Sequence, residues 1–577
     1  MNIYTHYAEA IAGIIAELGL VDVPPAVHCE SPRNPKHGDL ATNIALVLAK
    51  PMGKLPMVVA EMLAPHIEKL EGVEACAVAK PGFINLGLAP SVWQARIADI
   101  IDAGEAWGAC ALGKGKRVNV EFVSANPTGP LHAAHARGAV IGDSLAHILA
   151  FCGYEVSREY YVNDAGGQID DLALSLIDRM IELRGESINI DKMKYPGEYL
   201  IPIAKKLKAI QGESNLDDDW KIDTASAEFV IKEIMDSIQT DLKQLGIDMD
   251  DYVYESKFLR GGQATTTIMD ALEANGLVYW GIPEKPKSGN LGDWQARKQL
   301  LFATTRFGDD QDRPLAKADN SPTYFASDMA YHRDKLSRNY DILIDVWGAD
   351  HAGYVKRMQA AVAALKHIGG RGIKASAELH IVLVQMVKLM DKGKPVKMSK
   401  RAGNFITLAE MLAAVGAEVI RFTMLTRRHD QHLEFDYAKV TEQSKDNPVF
   451  YVQYAHARAA SVLRQEGAGD IMKQGTRPNL AGLTDTAELT LIKQLASFPR
   501  VVALAAKHYE PHRIAFALGE IAADFHALYN KGRDVPSLRF ISDDKEATHA
   551  RLQLVAATKI VLANGLRLLG ITGREDM

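Results

Sequence analysis

The sequence has few cysteines, and none of them form a pair at metal-binding spacing. Cys29, Cys76, Cys110 and Cys152 are scattered through 577 residues without a C-x-x-C motif. This pattern argues against a structural zinc site and against a disulfide framework. We find no N-terminal signal sequence and no apolar run long enough to span a membrane, so we expect a cytoplasmic protein without a membrane segment.

The chain also lacks internal repeats, low-complexity tracts and an excess of basic charge. Its 66 lysines and arginines against 72 aspartates and glutamates give a formal net charge of −6. This net charge does not indicate a nucleic-acid partner. It does not exclude one either, because a basic surface patch can lie on a protein that is acidic in total. A chain of 577 residues is too long for one core, so we expect several domains.

Composition and periodicity predict a multidomain α/β protein. We expect an N-terminal α+β domain, a Rossmann-like catalytic domain built on a parallel sheet, a helical connector and a C-terminal all-α helical bundle. A helix-rich, charged insertion is expected inside the catalytic domain. The predicted bounds are 1–112, 113–400 with the insertion at about 165–300, 401–446 and 447–577.

The most informative segment combines a strand, a Gly/Pro loop and a helix. Residues 116–123 alternate and are rich in valine, which predicts a strand. Helical periodicity then runs from about 131 to 150. His132 and His135 open that helix on one face, where unpaired N–H groups and the helix dipole attract phosphate. The loop residues that would let a nucleotide approach closely are Pro127, Thr128 and Gly129.

Further strands and a helix are predicted to complete the sheet. The strands are expected at 155–162, 322–325, 342–346 and 380–387, with a helix at 354–367. Gly348, Asp350 and His351 would follow the end of one strand, where parallel sheets bind ligands. We expect them to line the ribose of ATP, although Asp350 could equally be a simple turn residue.

A basic loop between Gly393 and Gly403 is the second candidate site. Lysines on flexible loops can stabilise phosphate charge that appears during a reaction. We expect Lys397 and Lys400 to be catalytic, with Met398 and Ser399 contacting ATP. A solvated basic turn is the alternative for this loop, and a structural or zinc-binding role is the alternative for the histidines, although no third zinc ligand is obvious.

Together the two motifs resemble the HIGH and KMSKS signatures of class I aminoacyl-tRNA synthetases. The closest fit is the arginyl-tRNA synthetase family, and the resemblance extends over nearly the whole chain. One departure is Ala134, which stands where the HIGH signature usually has glycine. The other segments that resemble this family are Glu121–Pro130, Tyr324–Asp328, Gly348–His351, Asn34–Asn43, Pro511–Ala515 and Ala522–Tyr529.

The resemblance implies a two-step reaction. The carboxylate of L-arginine would attack the α-phosphate of ATP to give arginyl-adenylate and pyrophosphate, and the terminal ribose of tRNA(Arg) would then take the arginyl group. ATP would enter with Mg²⁺, for which no protein ligand can be named, since magnesium often uses phosphates and water. The family also implies that activation requires bound tRNA, and we expect a monomer.

An arginine pocket requires acidic side chains on rigid elements, because guanidinium is a fork of donors that fits carboxylates. We expect Asp328 to bind the guanidinium, with Tyr324 lining the pocket. By resemblance, Asn126 holds the backbone groups of the substrate with Ser124 and His135, and Glu121 assists there or at the guanidinium. The alternatives are a partner for Arg117 or Arg137 at Glu121, a helix cap at Asp328 and simple core packing at Tyr324.

Aromatic and basic residues near both ends of the chain are candidates for RNA contacts. Single-stranded bases are commonly bound by stacking on aromatic rings and by basic side chains. Ordinary core packing is the alternative for each aromatic residue. The expected tRNA-binding residues are Asn34, Asp39, Asn43, Tyr451, Arg458, Arg513 and Tyr529.

Three other functions are compatible with parts of the sequence. A class I synthetase for another amino acid would share both signatures. A nucleotidylyltransferase without an RNA partner would not need the C-terminal helices. A non-catalytic RNA-binding relative would more plausibly have lost a signature residue, but His132, His135 and Lys400 are all present.

Overall fold

The fold is described from a computed structural model of the chain. Its contacts divide the chain into two compact units, Met1–Cys110 with Ser444–His508 and Arg513–Met577, and Ala111–Gln443 with Tyr509–His512. The residues that the structure describes are 2–23, 25–32, 34–211, 224–259, 263–284, 297–396, 406–442, 447–472 and 478–577.

A five-stranded parallel sheet, the central sheet, forms the core of the second unit. The chain passes from its first strand to one side of the sheet and later returns on the other side. Such a reversal of strand order leaves a ligand crevice beyond the carboxyl ends of the strands. The predicted Rossmann-like α/β fold is therefore confirmed. The strands, in spatial order, are Glu378–Val384, Ile342–Gly348, Arg117–Glu121, Glu155–Val162 and Asp251–Tyr254.

Three helices pack on the central sheet. The histidine helix, Ala133–Phe151, is buried along most of its length. Tyr324–Ser337 and Val355–Ile368 bury apolar side chains against Leu343. Each such side chain contributes roughly 1.5–3 kcal/mol when it is fully removed from water, so these helices are fixed by packing against the sheet.

The prediction of a strand at 322–325 is wrong, because Tyr324–Ser337 is a helix. Tyrosine and phenylalanine favour strands, but Thr323 turns the chain here. Its N–H donates to the carbonyl of Leu315 (2.8 Å) and its hydroxyl donates to that of Pro314 (2.9 Å).

The segment predicted as a helix-rich insertion also contains strands. Asp251–Tyr254 pairs in parallel with Glu155–Val162 and forms one edge of the central sheet, a strand that the sequence analysis did not identify. Three antiparallel strands form a separate sheet, Val278–Gly281, Gln299–Phe302 and Arg313–Ala316. The helices of this segment are Gly167–Glu182, Leu200–Gln211, Thr224–Gln244, Glu255–Leu259 and Gln263–Ala274.

The chain leaves the central sheet at Gln385 and enters another three-stranded sheet, the small sheet. The predicted single strand at 380–387 is therefore two strands that belong to different sheets. Helices Leu408–Val415 and Ala417–Met424 precede the last strand of the small sheet. The strands of the small sheet are Val387–Asp391, Lys394–Pro395 and Leu433–Asp436.

The first unit combines an antiparallel sheet with two sets of helices. The described residues from 447 onward form only helices and connections, as predicted. The sheet strands, in spatial order, are Cys29–Glu30, Leu40–Thr42, Phe83–Leu88 and Val73–Ala79. The helices are Ile3–Glu17, Ile44–Met52, Pro56–Ile67, Pro90–Ala103, Pro448–Leu463, Ala468–Met472, Thr486–His508, His512–Asp534 and Lys545–Leu568.

One helix of this unit, Thr486–His508, is long and apolar enough to cross a membrane by length and composition alone. The sequence analysis, which found no apolar run of that length, did not identify it. Half of its most apolar window is buried inside the protein, and Glu488 accepts a hydrogen bond from Nε of Arg551 (2.8 Å). The indole of Trp107 donates to the carbonyl of Leu495 (3.1 Å). These are the contacts of a core helix.

Candidate functional site

The two signature histidines, here called the histidine pair, lie at the start of the histidine helix. His132 precedes the first helical residue, and its backbone N–H donates to Nδ1 of His135 (3.2 Å). The two rings stack with their centroids 3.8 Å apart, and both residues are half-buried. Ala134 lies between them and is half-buried too. The structure thus brings both imidazoles to a helix N-terminus, where anions are favoured.

The loop before the histidine pair has an unusual backbone. Val123 (φ +69°) and Ser124 (φ +39°) both lie in the left-handed region, which a β-branched residue rarely adopts. The Ser124 hydroxyl donates to Glu121 (2.9 Å) and accepts from the backbone N–H of Tyr161 (3.1 Å). Pro127, further along the loop, is buried. The contacts of Ser124 hold the strained turn in place.

The remaining loop residues face the helices that follow. The amide of Asn126 is exposed and donates to Gln168 (3.0 Å). The carbonyl of Thr128 accepts from the hydroxyl of Tyr199 (2.5 Å). A Cβ atom at Gly129 would lie 3.4 Å from the Tyr199 ring. That distance is an ordinary van der Waals contact, so the Tyr199 ring leaves room for a methyl group at this position.

The chain returns to the histidine pair after the second signature. Thr407 pairs with His132 in an antiparallel bridge. The backbone N–H of Leu408 donates to the carbonyl of Leu131 (2.8 Å). The residues that follow the second signature are thus attached to the start of the histidine helix. The signature residues themselves, Lys397, Met398, Ser399 and Lys400, lie outside the described residues.

The predicted ribose-binding residues lie at the carboxyl end of Ile342–Gly348, the strand beside Arg117–Glu121. A Cβ atom at Gly348 would come within 2.4 Å of a carboxylate oxygen of Asp350. Asp350 and His351 are exposed, with their nearest side-chain oxygen and nitrogen 3.7 Å apart. These residues therefore lie at the same edge of the central sheet as the histidine loop.

Glu121 is already bound to a lysine inside the protein. The ammonium group of Lys335 donates to Glu121 and to Asp345 (2.8 Å), and Lys335 is fully buried. Burial alone would lower the pKa of Lys335, but the carboxylates of Asp345 and Glu121 raise it above its ordinary value. The expected alternatives for Glu121 are wrong, because Arg117 binds Glu155 (3.0 Å) and Arg137 binds backbone carbonyls. Sequence reasoning missed Lys335.

Two other carboxylates interact with two tyrosines, and this cluster of Asp328, Glu255, Tyr161 and Tyr354 is here called the acidic pocket. Tyr354 donates to Asp328 (2.5 Å), and the hydroxyl of Tyr161 interacts with Glu255. Burial raises the pKa of Asp328. Burial, with help from the charge of Asp328, raises the pKa of Glu255 to about 7, although its hydrogen bond with Tyr161 acts in the opposite direction. Buried acids with raised pKa values mark a site suited to a cation.

The structure bears on several expectations about residues in this pocket and on the neighbouring helix. Asp328 lies in the second turn of Tyr324–Ser337, so it is not the cap of that helix. Tyr324 is 78% exposed, which excludes simple core packing. Glu255 was missed by sequence reasoning, because it follows Asp251–Tyr254, the strand that the sequence analysis did not identify.

An aromatic cluster in the first unit surrounds Arg458. Its guanidinium lies 4.3 Å from the ring centroids of both Tyr454 and Tyr529. It also bonds to the Tyr454 hydroxyl (2.6 Å) and to Nδ1 of His526 (2.8 Å). The ring of Tyr451 lies 4.6 Å from that of His526. Cation–π contacts of this kind fix Arg458 between two rings.

The other predicted RNA-binding residues lie apart from this cluster. Arg513 is near the start of His512–Asp534, about 24 Å along the helix from Tyr529 at 1.5 Å per residue. Asn34 and Asn43 are exposed. Asp39 instead accepts from the N–H of Leu88 (2.9 Å) and pairs with Lys493, so its carboxylate is used within the unit.

Potential metal ligands do not cluster in the described part of the chain. There, no group of three or more His, Cys, Asp or Glu side chains could hold a metal ion. The structure therefore assigns no protein ligand to magnesium.

Three family models match the chain. These are "Arginyl tRNA synthetase N terminal domain" over residues 5–88, "tRNA synthetases class I (R), catalytic domain" over residues 97–436 and "DALR anticodon binding domain" over residues 452–577. The catalytic match alone covers more than half of the sequence.

Curated proteins and solved structures resemble the whole chain. It is 48% identical to an arginine–tRNA ligase of Cereibacter sphaeroides and 49% identical to one of Ruegeria pomeroyi, and each comparison covers 100% of both chains. An arginyl-tRNA synthetase of Campylobacter jejuni superposes with a TM-score of 0.72 at 30% identity, covering 85% of this chain and 100% of the other. The arginyl-tRNA synthetase of Thermus thermophilus shares the fold, with a TM-score of 0.74 at 22% identity and 100% coverage of both.

Proposed function

Because the chain belongs to the arginyl-tRNA synthetase family of class I and is an arginine–tRNA ligase, we propose how its own residues carry out the ligation of L-arginine to tRNA(Arg). The observation that carries the proposal is the bridge between His132 and Thr407, which attaches the chain after the second signature to the histidine pair. Two distant segments then meet at the carboxyl edge of the central sheet, where a nucleotide would bind.

The histidine pair acts on ATP. Its imidazoles and the N-terminus of the histidine helix face the phosphates and stabilise the negative charge that develops on them. Lys397 and Lys400 add positive charge from the second signature. Other residues contacting ATP are Pro127, Thr128, Gly129, Gly348, Asp350, His351, Met398 and Ser399. Magnesium accompanies ATP, held by its phosphates and by water.

The acidic pocket binds the side chain of arginine. Asp328 and Glu255 have no ion-pair partner within 4 Å among the described side chains, so a guanidinium can supply the missing charge. We assign Tyr324, which lies one turn before Asp328 on the same helix, to the lining of the pocket. Ser124, Asn126 and His135 then hold the amino and carboxylate groups of arginine, with Glu121 assisting, near the α-phosphate of ATP.

The chemistry follows from this alignment. A carboxylate oxygen of arginine attacks the α-phosphorus of ATP, the bond to the β-phosphate bridge breaks, and pyrophosphate leaves. A hydroxyl of the terminal ribose of tRNA then attacks the carbonyl carbon of arginyl-adenylate, and AMP leaves. Positioning reactants in this way can lower the activation free energy by roughly 7–11 kcal/mol.

The first unit supplies the RNA contacts. Tyr451, Arg458 and Tyr529 present stacking surfaces for anticodon bases, and Arg513 contacts the RNA backbone. Asn34 and Asn43 lie exposed for the tRNA elbow, whereas the ion pair of Asp39 with Lys493 fits a role in holding that surface. We expect the enzyme to act in the cytoplasm as a monomer.

ATP–pyrophosphate exchange tests the proposal directly. Each of the twenty amino acids is assayed with and without total tRNA. Arginine should support exchange, with tRNA required. Exchange that is supported better by another amino acid, or that occurs without tRNA at the same rate, would argue against the assigned substrate or against the coupling to tRNA.

A further inference from the structure

A buried arginine on the histidine helix has contacts that the proposed chemistry does not use. Arg137 follows His135 by two residues and is fully buried. One of its terminal nitrogens donates to the carbonyls of Gln385 (2.8 Å) and Gln431 (2.7 Å), and the other donates to the carbonyl of Arg428 (2.8 Å). A single guanidinium therefore joins the helix to three backbone acceptors.

These acceptors lie where the small sheet is joined to the rest of the unit. Gln385 is the residue at which the chain leaves the central sheet for the small sheet. Arg428 and Gln431 belong to the turn before the strand Leu433–Asp436. The N–H of Gln385 donates to the carbonyl of His429 (2.8 Å), which ties this junction to the same turn. Arg137 thus connects the histidine helix with both segments that enter the small sheet.

The small sheet in turn leads to the second signature. Its strand Val387–Asp391 pairs with Lys394–Pro395, and the described chain continues to Val396. On the far side of the signature, Thr407 pairs with His132. The described residues on both sides of the second signature are therefore attached to the histidine helix, those after it through Thr407 and those before it through Arg137 and the small sheet.

Burying the Arg137 guanidinium costs free energy, because its hydrogen bonds to described residues all go to neutral backbone carbonyls. Removing it from water lowers its pKa to about 10, which the charge of Asp430 partly opposes. Well-packed apolar side chains of similar volume often stabilise a core as well as buried charges do. What the planar fork of arginine adds is a fixed direction for each donor, which an apolar side chain or a lysine lacks.

We propose that Arg137 is a positioning residue for adenylate formation. It holds the histidine pair at a fixed place relative to Gln385 and the 428–431 turn. This inference rests on the proposed role of the histidine pair. Arg137 does not contact the acidic pocket, so its removal should lower the rate of the chemical step more than it weakens the binding of arginine, in which His135 takes part.

The test compares Arg137→Met and Arg137→Lys with the wild type in pyrophosphate exchange at saturating tRNA. Misplacing reacting groups by about 1 Å can reduce a rate on the order of 100-fold, so we expect Arg137→Met to lower kcat about 10- to 100-fold. Because His135 also holds the backbone groups of arginine, the KM for arginine should rise by a smaller factor than the fall in kcat. Arg137→Lys keeps the charge and some donors, and it should recover part of the lost kcat.

Arg428→Ala is the matched control. It removes an exposed side chain, paired with Asp430 (2.9 Å), but keeps the carbonyl that Arg137 contacts. We expect wild-type kcat from this variant. Circular dichroism of each variant separates lost activity from lost folding. If Arg137→Met does not fold, Arg137→Lys decides the question alone, and a folded Arg137→Lys variant with wild-type kcat overturns the proposal.

A double-mutant cycle with His132→Asn tests whether Arg137 acts through the histidine pair. Residues that act as one unit give non-additive effects, so the double variant should be little slower than the slower single variant. If the two single substitutions reduce kcat by factors that multiply in the double variant, the inference is overturned. A loss confined to the KM for arginine would also overturn it. If His132→Asn alone has wild-type kcat, the proposed role of the histidine fails, and that result is visible without any Arg137 variant.

Discussion

The carboxylate of Glu121 is bound to the ammonium group of Lys335 in a nearly solvent-free ion pair, with side-chain exposures of 9% and 0%. Glu121 therefore already has a cation as its partner. A second cation would have to compete with Lys335, which Asp345 also holds. We infer that the guanidinium of the substrate is recognised by Asp328 and Glu255, and that Glu121 assists by accepting the hydrogen bond that orients the Ser124 hydroxyl.

The substitution Lys335→Met should strongly destabilise the second unit. It leaves the buried carboxylates of Glu121 and Asp345 without their cation, and breaking a buried ion pair in this way costs about 3–5 kcal/mol. Urea unfolding followed by tryptophan fluorescence measures the loss. Lys374→Met is the control, because Lys374 pairs with Asp341 at 2.7 Å in a partly exposed position. That pair should contribute about 0–1 kcal/mol; equal losses for the two variants would contradict the assignment.

The substitution Asp328→Asn should impair the use of arginine and leave ATP binding intact. Truncating one partner of a buried charge pair costs about 2–5 kcal/mol, so kcat/KM for arginine should fall roughly 30- to 5000-fold. Pyrophosphate exchange with tRNA measures both substrates. Asp334→Asn on the same helix serves as control, since Asp334 pairs with Arg338 (3.2 Å) instead. Wild-type arginine kinetics in the Asp328 variant would exclude this carboxylate from the pocket.

The KM for arginine should depend on pH through Glu255. Its pKa in the empty pocket is raised to about 7, and only the ionised carboxylate attracts the guanidinium. The KM should therefore be lowest above pH 7 and rise about tenfold between pH 7.5 and pH 6. Kinetics from pH 5.5 to 8.5 measure this change, and Glu255→Gln should flatten it. An equally steep profile in that variant would assign the titration to another group.

The same shift has a consequence for stability. Because burial raises the pKa of Glu255 above its ordinary value, the contribution of this group to stability is complete below the ordinary value and is lost as pH rises towards about 7. Bound arginine should offset that loss. The unfolding temperatures measured with and without arginine should therefore diverge as pH increases. Parallel curves of unfolding temperature against pH would contradict the predicted direction of the effect.

The substitution Arg458→Lys should weaken the binding of tRNA. Lysine cannot keep the planar contacts with Tyr454 and Tyr529 or the two directed hydrogen bonds. Loss of a stacking position costs about 1–3 kcal/mol, so the KM for tRNA should rise roughly 5- to 150-fold, with arginine KM unchanged at saturating tRNA. Arg464→Lys, which replaces an exposed partner of Asp576 just after the same helix, should behave as wild type.

Local patterns in the sequence were sufficient to predict much of the central sheet and the histidine helix. Glu155–Val162 occurs as predicted, and the histidine helix begins and ends within two residues of expectation. In these elements apolar residues alternate with polar ones or recur at helical spacing over many residues, so the pattern is strong. Asp251–Tyr254 was missed because a four-residue edge strand with mostly partly exposed side chains carries almost no pattern.

The residues of the site that were missed depend on contacts between segments far apart in the sequence, which local patterns do not predict. Lys335 and Glu255 are charged residues in helices, where charge usually indicates a solvated face. Only the fold brings Lys335 to Glu121, 214 residues away in sequence, and Glu255 to the end of a sheet strand. The strand predicted at 322–325 failed for a related reason, because hydrogen bonds from Thr323 to Leu315 and Pro314 override the local preference of tyrosine and phenylalanine.

The central claim is that ATP and a cationic amino acid meet at one edge of the central sheet. Citrulline tests it most directly, because it has nearly the shape of arginine but no charge. Pyrophosphate exchange with tRNA at pH 8 should give a kcat/KM for citrulline at least about 1000-fold below that for arginine, since the carboxylates of Asp328 and Glu255 would remain unpaired. Comparable exchange with the two amino acids would contradict the account.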